Sequence, residues 1–168
     1  DFEKCLDINH NCSELINDKP IIFIIHESFT IDHAMYRCYS DMICGLKMNF
    51  FTIGITFLKR NIDNESSKIF NRHFVLDGTG VSDRYEKLVM LLKQFKPNFI
   101  YYPSIGMDPF VMVLASFRLA NKQIYSLGNP APAMSITMDS VITTHDEIVI
   151  DHDPFAKQLV VDNFPMKL

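Results

Sequence analysis

The chain has 168 residues, 48% of them hydrophobic and 21% charged, with a formal net charge of −4. That composition suits a single folded domain with a sizeable core and excludes a disordered or fibrous chain. No long basic run and no membrane-length apolar run occurs, which argues against nucleic-acid binding and against a membrane span.

Residues 1–19 are polar and irregular and read as an N-terminal extension; residues 20–168 read as one lobe. The start has neither the basic flank nor the apolar stretch of a signal peptide and lacks an initiator Met, so the sequence reads as cytoplasmic and as part of a longer chain. The four cysteines, Cys5, Cys12, Cys38 and Cys44, form no CxxC pair and read as free, buried thiols.

After Pro20, the β-branched run Ile21–Ile25 predicts a strand buried on both faces. Met35, Tyr39, Met42, Ile43 and Leu46 then follow helical spacing, with Thr30 or Asp32 as the predicted cap. Asn49–Phe57 predicts a second strand and His73–Asp77 a third, with a charged loop or short helix between them. "DGTG" at Asp77–Gly80 leads into a helix with Ser82 as its predicted cap and an apolar stripe of Tyr85, Leu88, Leu91, Leu92 and Phe95. "NFIYYPS" predicts strand four; Asp108 and Pro109 mark the N-cap and first position of the next helix. "KQIYSLG" predicts strand five, and "DSVITT" and "DEIVI" one or two short strands more.

Strands alternating with helices predict an α/β fold: a Rossmann-like, three-layer α/β/α arrangement with a mainly parallel sheet. In such sheets the working loops lie beyond the carboxyl ends of the strands. Four loops fall there: "HESFTIDH", "DGTG", "PSIGMDP" and "GNPAPA". "DGTG" is not a dinucleotide fingerprint, because it does not follow the first strand. Gly106 precedes a helix N-terminus whose free amides could hold an anion, or it could simply permit the turn. His33 at the first helix start could serve as a general base or contact an acceptor, or stand as a surface histidine; Arg37 lies one turn on. His26 and Glu27 close strand one at the working edge. His73, His145 and His152 have no partner at ligand spacing, so no metal site is predicted. Asp151–Asp153 reads as surface, and Ser28 and Ser104 lack a nucleophile elbow.

"PSIGM" at Pro103–Met107, "RLANKQ" at Arg118–Gln123, "LGNPAPAMS" at Leu127–Ser135 and "MDSVIT" at Met138–Thr143 lie within a stretch that covers about a quarter of the chain. Their order and spacing resemble the cytoplasmic N-glycosyltransferases that modify bacterial adhesins, relatives of the O-linked N-acetylglucosamine transferases. "DHAMYR" at Asp32–Arg37 resembles that family's histidine-bearing helix start. The resemblance implies the N-terminal lobe of a GT-B glycosyltransferase. It implies a metal-independent, inverting reaction from a UDP-sugar, held mainly by a second lobe, to Asn, or Ser or Thr, of a polypeptide acceptor. It places His33 in acceptor contact or proton handling, with Arg37, Gly106, Met107, Gly128, Asn129 and Pro130 shaping the cleft, and no metal or other cofactor. Asn129 stands where the family has His or Tyr, and Pro132 and Ala133 replace its small and hydroxyl residues; Asn129 cannot titrate. Two further readings are a degenerate, non-catalytic lobe that grips a polypeptide or partner, and a flavodoxin-like regulatory domain.

Overall fold

The computed structural model describes residues 19–127, 133–143 and 155–160. Seven strands, β1 (Ile21–Ile25), β2 (Phe51–Thr56), β3 (Arg72–Val75), β4 (Phe99–Tyr102), β5 (Lys122–Ser126), β6 (Ser140–Thr143) and β7 (Lys157–Val160), form one sheet. Their order is β3-β2-β1-β4-β5-β6-β7, and every neighbouring pair is parallel. The described helices are α1 (Ala34–Leu46), α2 (Asn64–Ser67), α3 (Val81–Phe95) and α4 (Pro109–Leu114), with a 3₁₀ turn at Lys59–Asn61. This is the doubly wound α/β architecture that the alternation predicts.

β1 lies inside the sheet between β2 and β4, and its side chains alternate between two cores. Ile21, Phe23 and Ile25 pack with Leu88, Leu91 and Phe95 of α3 and with Phe110, Val111 and Leu114 of α4. Ile22 and Ile24 pack with Met35, Tyr39 and Ile43 of α1. A strand covered on both faces has no wet side to make polar, which is why the run is continuously apolar. Each buried isoleucine contributes about 2 kcal/mol by removing apolar surface from water. The α1 stripe falls as its spacing predicts, with Met42 and Leu46 partly buried beside the fully buried members.

Several local predictions are corrected. The N-cap of α1 is His33 itself, not Thr30 or Asp32: its Nδ1 accepts the Met35 N–H at 3.2 Å. The N-cap of α3 is Gly80, with no side-chain cap bond, so Ser82 lies inside the first turn. Tyr85, assigned to the apolar stripe, is 41% exposed. Cys38 and Cys44 are free, as predicted, but Cys38 is only half-buried and Cys44 is exposed. β2 and β3 are shorter than predicted, and β7 lies at a segment with no predicted strand. Cys5, Cys12, His145, His152, Asp151–Asp153 and the "DEIVI" segment lie outside the described residues. Among the described residues no helix is long and apolar enough to cross a membrane.

Candidate functional site: the crevice at the strand-order reversal

The strand order reverses between β1 and β4, since β1 leads outward to β2 on one side while β4 leads to β5 on the other. Loops leaving these two strands diverge, and the crevice between them is where open α/β sheets bind ligands. Here the crevice is bridged by Glu27, which follows β1 by two residues and is only 3% exposed. Its Oε1 accepts the backbone N–H groups of Gly106, Met107 and Asp108, each at 2.9 Å. Its Oε2 accepts the Ser104 hydroxyl at 2.9 Å. One carboxylate thus satisfies the amides that lead into α4, a place where a negative charge is favoured.

The sequence alone left open whether the Gly106 turn holds an anion. It does, and the anion is the chain's own. Gly106 has φ 130, a conformation in which a side chain is strained. That conformation helps turn three successive amides toward Glu27. Asp108 then caps α4 through Oδ1, which accepts the Phe110 N–H at 2.8 Å, with Pro109 at the first helical position as predicted.

Beside Glu27 opens a cleft of about 340 Å³. Ser28, Leu58, Arg60, Asn61, Arg84, Met107, Asp108 and Pro109 complete its lining. These residues come from the loop after β1, the turn after β2, the start of α3 and the start of α4. All of them gather at the carboxyl edge, as the loop positions predict.

His26, next to Glu27, belongs to a different assembly. It is buried, and its Nε2 lies 2.8 Å from Nε2 of His73 on β3. Its ring stacks on Phe70 at 5.7 Å and lies 5.3 Å from the Phe29 ring. Gly54 of β2 is in register with His73, and a Cβ there would stand 2.5 Å from the His73 ring, so the absent side chain makes room for the pair. Burial, and secondarily the neighbouring His73, holds His26 well below the usual histidine range; burial lowers His73 to about 4. Both rings are therefore neutral near pH 7. His73 has a histidine partner after all, 47 residues away in sequence, but among the described residues no cluster of three or more metal-ligating groups exists.

The other predicted residues distribute as follows. Met107 lines the cleft, and Gly106 bonds Glu27 at its edge. His33 is half-buried at the start of α1 and does not line the cleft. Because Nδ1 accepts from Met35, the neutral ring carries its proton on Nε2 and presents a donor rather than a base. Arg37 is exposed and turns back to donate to the Asp32 carbonyl at 2.7 Å. Gly128, Asn129 and Pro130 lie outside the described residues. Sequence reading placed Glu27 at the edge without a role; its one signal was a carboxylate in the loop after a wholly apolar strand.

No protein-family profile matches the sequence. The chain is 26% identical over 144 residues to a UDP-glucose:protein N-beta-glucosyltransferase of Actinobacillus pleuropneumoniae serotype 5b (strain L20), covering 86% of this chain and 23% of that protein. Its fold superposes on a Thermobaculum terrenum O-GlcNAc transferase mutant, K341M, with a TM-score of 0.66 and 11% identity, over 85% of this chain and 27% of that one. The chain is thus similar in sequence to part of one protein glycosyltransferase and shares the fold of part of another. The resemblance carried by "PSIGM", "RLANKQ" and "MDSVIT" is thus borne out, and the lobe has the Rossmann-like fold found in GT-B enzymes. It spans about a quarter of the length of these proteins.

The structure sorts these motifs into two kinds. "PSIGM" forms the Glu27 bridge at the carboxyl edge. Residues of "RLANKQ" and "MDSVIT" form a latch at the opposite edge. The fully buried Gln123 accepts the Leu119 N–H at 2.7 Å and donates to the carbonyls of Phe117 at 3.0 Å and Thr137 at 3.2 Å. Arg118 pairs with Asp139, whose Oδ2 also accepts the Gln123 N–H at 2.8 Å.

Proposed function

We propose that the chain is the acceptor-side lobe of an inverting, metal-independent protein glycosyltransferase of the cytoplasm. It moves a hexose from a UDP-sugar to Asn, or to Ser or Thr, of a polypeptide. A second GT-B lobe supplies most of the UDP-sugar contacts, and this chain alone is inactive. The observation that carries the reading is the relationship to a UDP-glucose:protein N-beta-glucosyltransferase over 86% of the chain. The crevice at the strand-order reversal supports it, because the lobe's polar, open edge is the one that would face a partner lobe.

On this reading His33 contacts the acceptor through Nε2, and Arg37, Met107, Gly128, Asn129 and Pro130 shape the walls while Gly106 holds the Glu27 bridge. The altered loop, with Asn129 and Pro132 where the family has titratable or hydroxyl residues, favours the alternative of a degenerate lobe that grips a polypeptide without transferring sugar. Mass spectrometry of acceptor peptides incubated with the full-length parent and a panel of UDP-sugars separates the two. Transfer supports the enzyme, and its absence with intact peptide binding supports the module. Asn is an excellent N-cap, so His33→Asn keeps the helix start and removes only the ring. We expect that variant to lose about 100-fold in transfer. Undiminished transfer would reduce His33 to a cap.

A further inference from the structure

Two cationic side chains line the cleft; Arg84 also helps lower the carboxyl of its neighbour Asp83, after the larger effect of Lys87. Arg60, in the 3₁₀ turn after β2, and Arg84, in the first turns of α3, have no ion-pair or hydrogen-bond partner for their guanidinium groups among the described residues. The Nε–H of Arg84 is buried and lacks an acceptor. Arg60 is exposed and solvated, but the orphaned Arg84 Nε–H is unfavourable for the lobe alone, and an anionic group joining the two guanidiniums would satisfy it.

The chemistry of the rest of the lining selects the anion. A diphosphate needs a cradle of free backbone N–H groups and a lysine. The cleft has no lysine, and the Gly106, Met107 and Asp108 amides are already taken by Glu27. Glu27 and Asp108 also stand in the lining as fixed carboxylates, which penalise a doubly charged ligand more than a singly charged one. Leu58, the half-exposed Met107 and Pro109 offer apolar surface beside the two arginines. A single carboxylate on a short aliphatic stem suits both.

We propose that this cleft binds an acidic side chain, Asp or Glu, of a polypeptide, with Arg60 and Arg84 gripping the carboxylate. The proposal rests on the reading that the lobe handles a polypeptide, and it adds a sequence preference: an acidic residue flanking the segment that the lobe receives.

The test is binding, without any sugar donor, so that it stands or falls separately from transfer. The ¹⁵N-labelled chain is titrated with a short unstructured peptide carrying one glutamate, with its glutamine counterpart, and with inorganic pyrophosphate, following the Arg84 Nε–H resonance. The glutamate peptide is expected to shift that resonance and to bind about tenfold more tightly than the glutamine peptide, the difference one charge-assisted bidentate contact makes. Arg84→Gln and Arg60→Gln should each erase most of that difference, while Arg84→Lys retains part of it. Three results would overturn the proposal: equal binding of the two peptides, no binding of either at millimolar concentration, or pyrophosphate binding more tightly than the glutamate peptide with the same Arg84 shift. If the peptides do not discriminate while the full-length parent still transfers sugar, the carboxylate site is wrong and the glycosyltransferase reading stands.

Discussion

At the carboxyl edge of the sheet a buried carboxylate, Glu27, gathers four donors from the loop after β4. At the amino edge a buried amide, Gln123, accepts from one N–H and donates to two carbonyls. Both tie a loop to the sheet through one fully enclosed side chain, yet the chemistry differs because the loops present different groups. The start of a helix offers N–H groups and calls for an acceptor with charge; the turn after a helix offers carbonyls and calls for a donor without one. The first arrangement borders an open cleft. The resemblance to glycosyltransferases therefore marks scaffold and site with equal strength, and the structure is needed to tell them apart.

Exchanging the two chemistries breaks the comparison most sharply. Gln123→Glu places a carboxylate against the Phe117 and Thr137 carbonyls with no water to screen it. We expect a loss of about 4 kcal/mol in urea unfolding at pH 7, the scale of an uncompensated buried charge. A loss below about 1 kcal/mol would mean that water reaches the latch.

The pair His26–His73 beside Glu27 adds a third polar assembly, and its response to acid has a definite sign. The unfolded chain takes up protons on histidine near pH 6.5, whereas folded His73 does so only at about 4, and burial holds His26 well below the usual histidine range as well. Stability is therefore full above about pH 6.5 and falls as pH drops toward 4, by about 3 kcal/mol for His73 alone. Urea midpoints at pH 7 and pH 4 check this, and His73→Gln should flatten the slope. An unchanged slope would place the acid sensitivity elsewhere.

Glu27→Gln is the mildest change, since the amide oxygen can still accept the three backbone N–H groups. We expect about 2 kcal/mol, from the weaker neutral acceptor and the reversal of the Ser104 bond, whose hydroxyl must now accept from the amide N–H. Amide exchange at Gly106, Met107 and Asp108 should quicken, while the Gln123 region should not.

Much of this was legible in the sequence because it is local. The Asp108–Pro109 helix start, the α1 stripe and the continuous apolar β1 depend on neighbours a few residues apart. What escaped depends on distance along the chain. Nothing near His73 announces His26, and nothing near Gly106 announces Glu27, since β-sheet topology alone brings them together. His33 escaped as a cap because its residue type suggests chemistry before capping, and Tyr85 because α3 is covered over a narrower arc than its stripe allows. Met107 lines the cleft beside Glu27, whereas His33 and Arg37 are not among its lining residues.

The Glu27 bridge joins residues 77 to 81 positions apart. A nascent chain extruded in order holds β1, β2 and β3 well before Asp108 emerges, and until then the acidic group has no home. The first three strands must wait, loosely paired, for β4 to arrive and close the centre of the sheet. Contacts this remote slow barrier crossing. They also leave the half-made lobe with its apolar β1 uncovered on one flank, the kind of surface that favours aggregation.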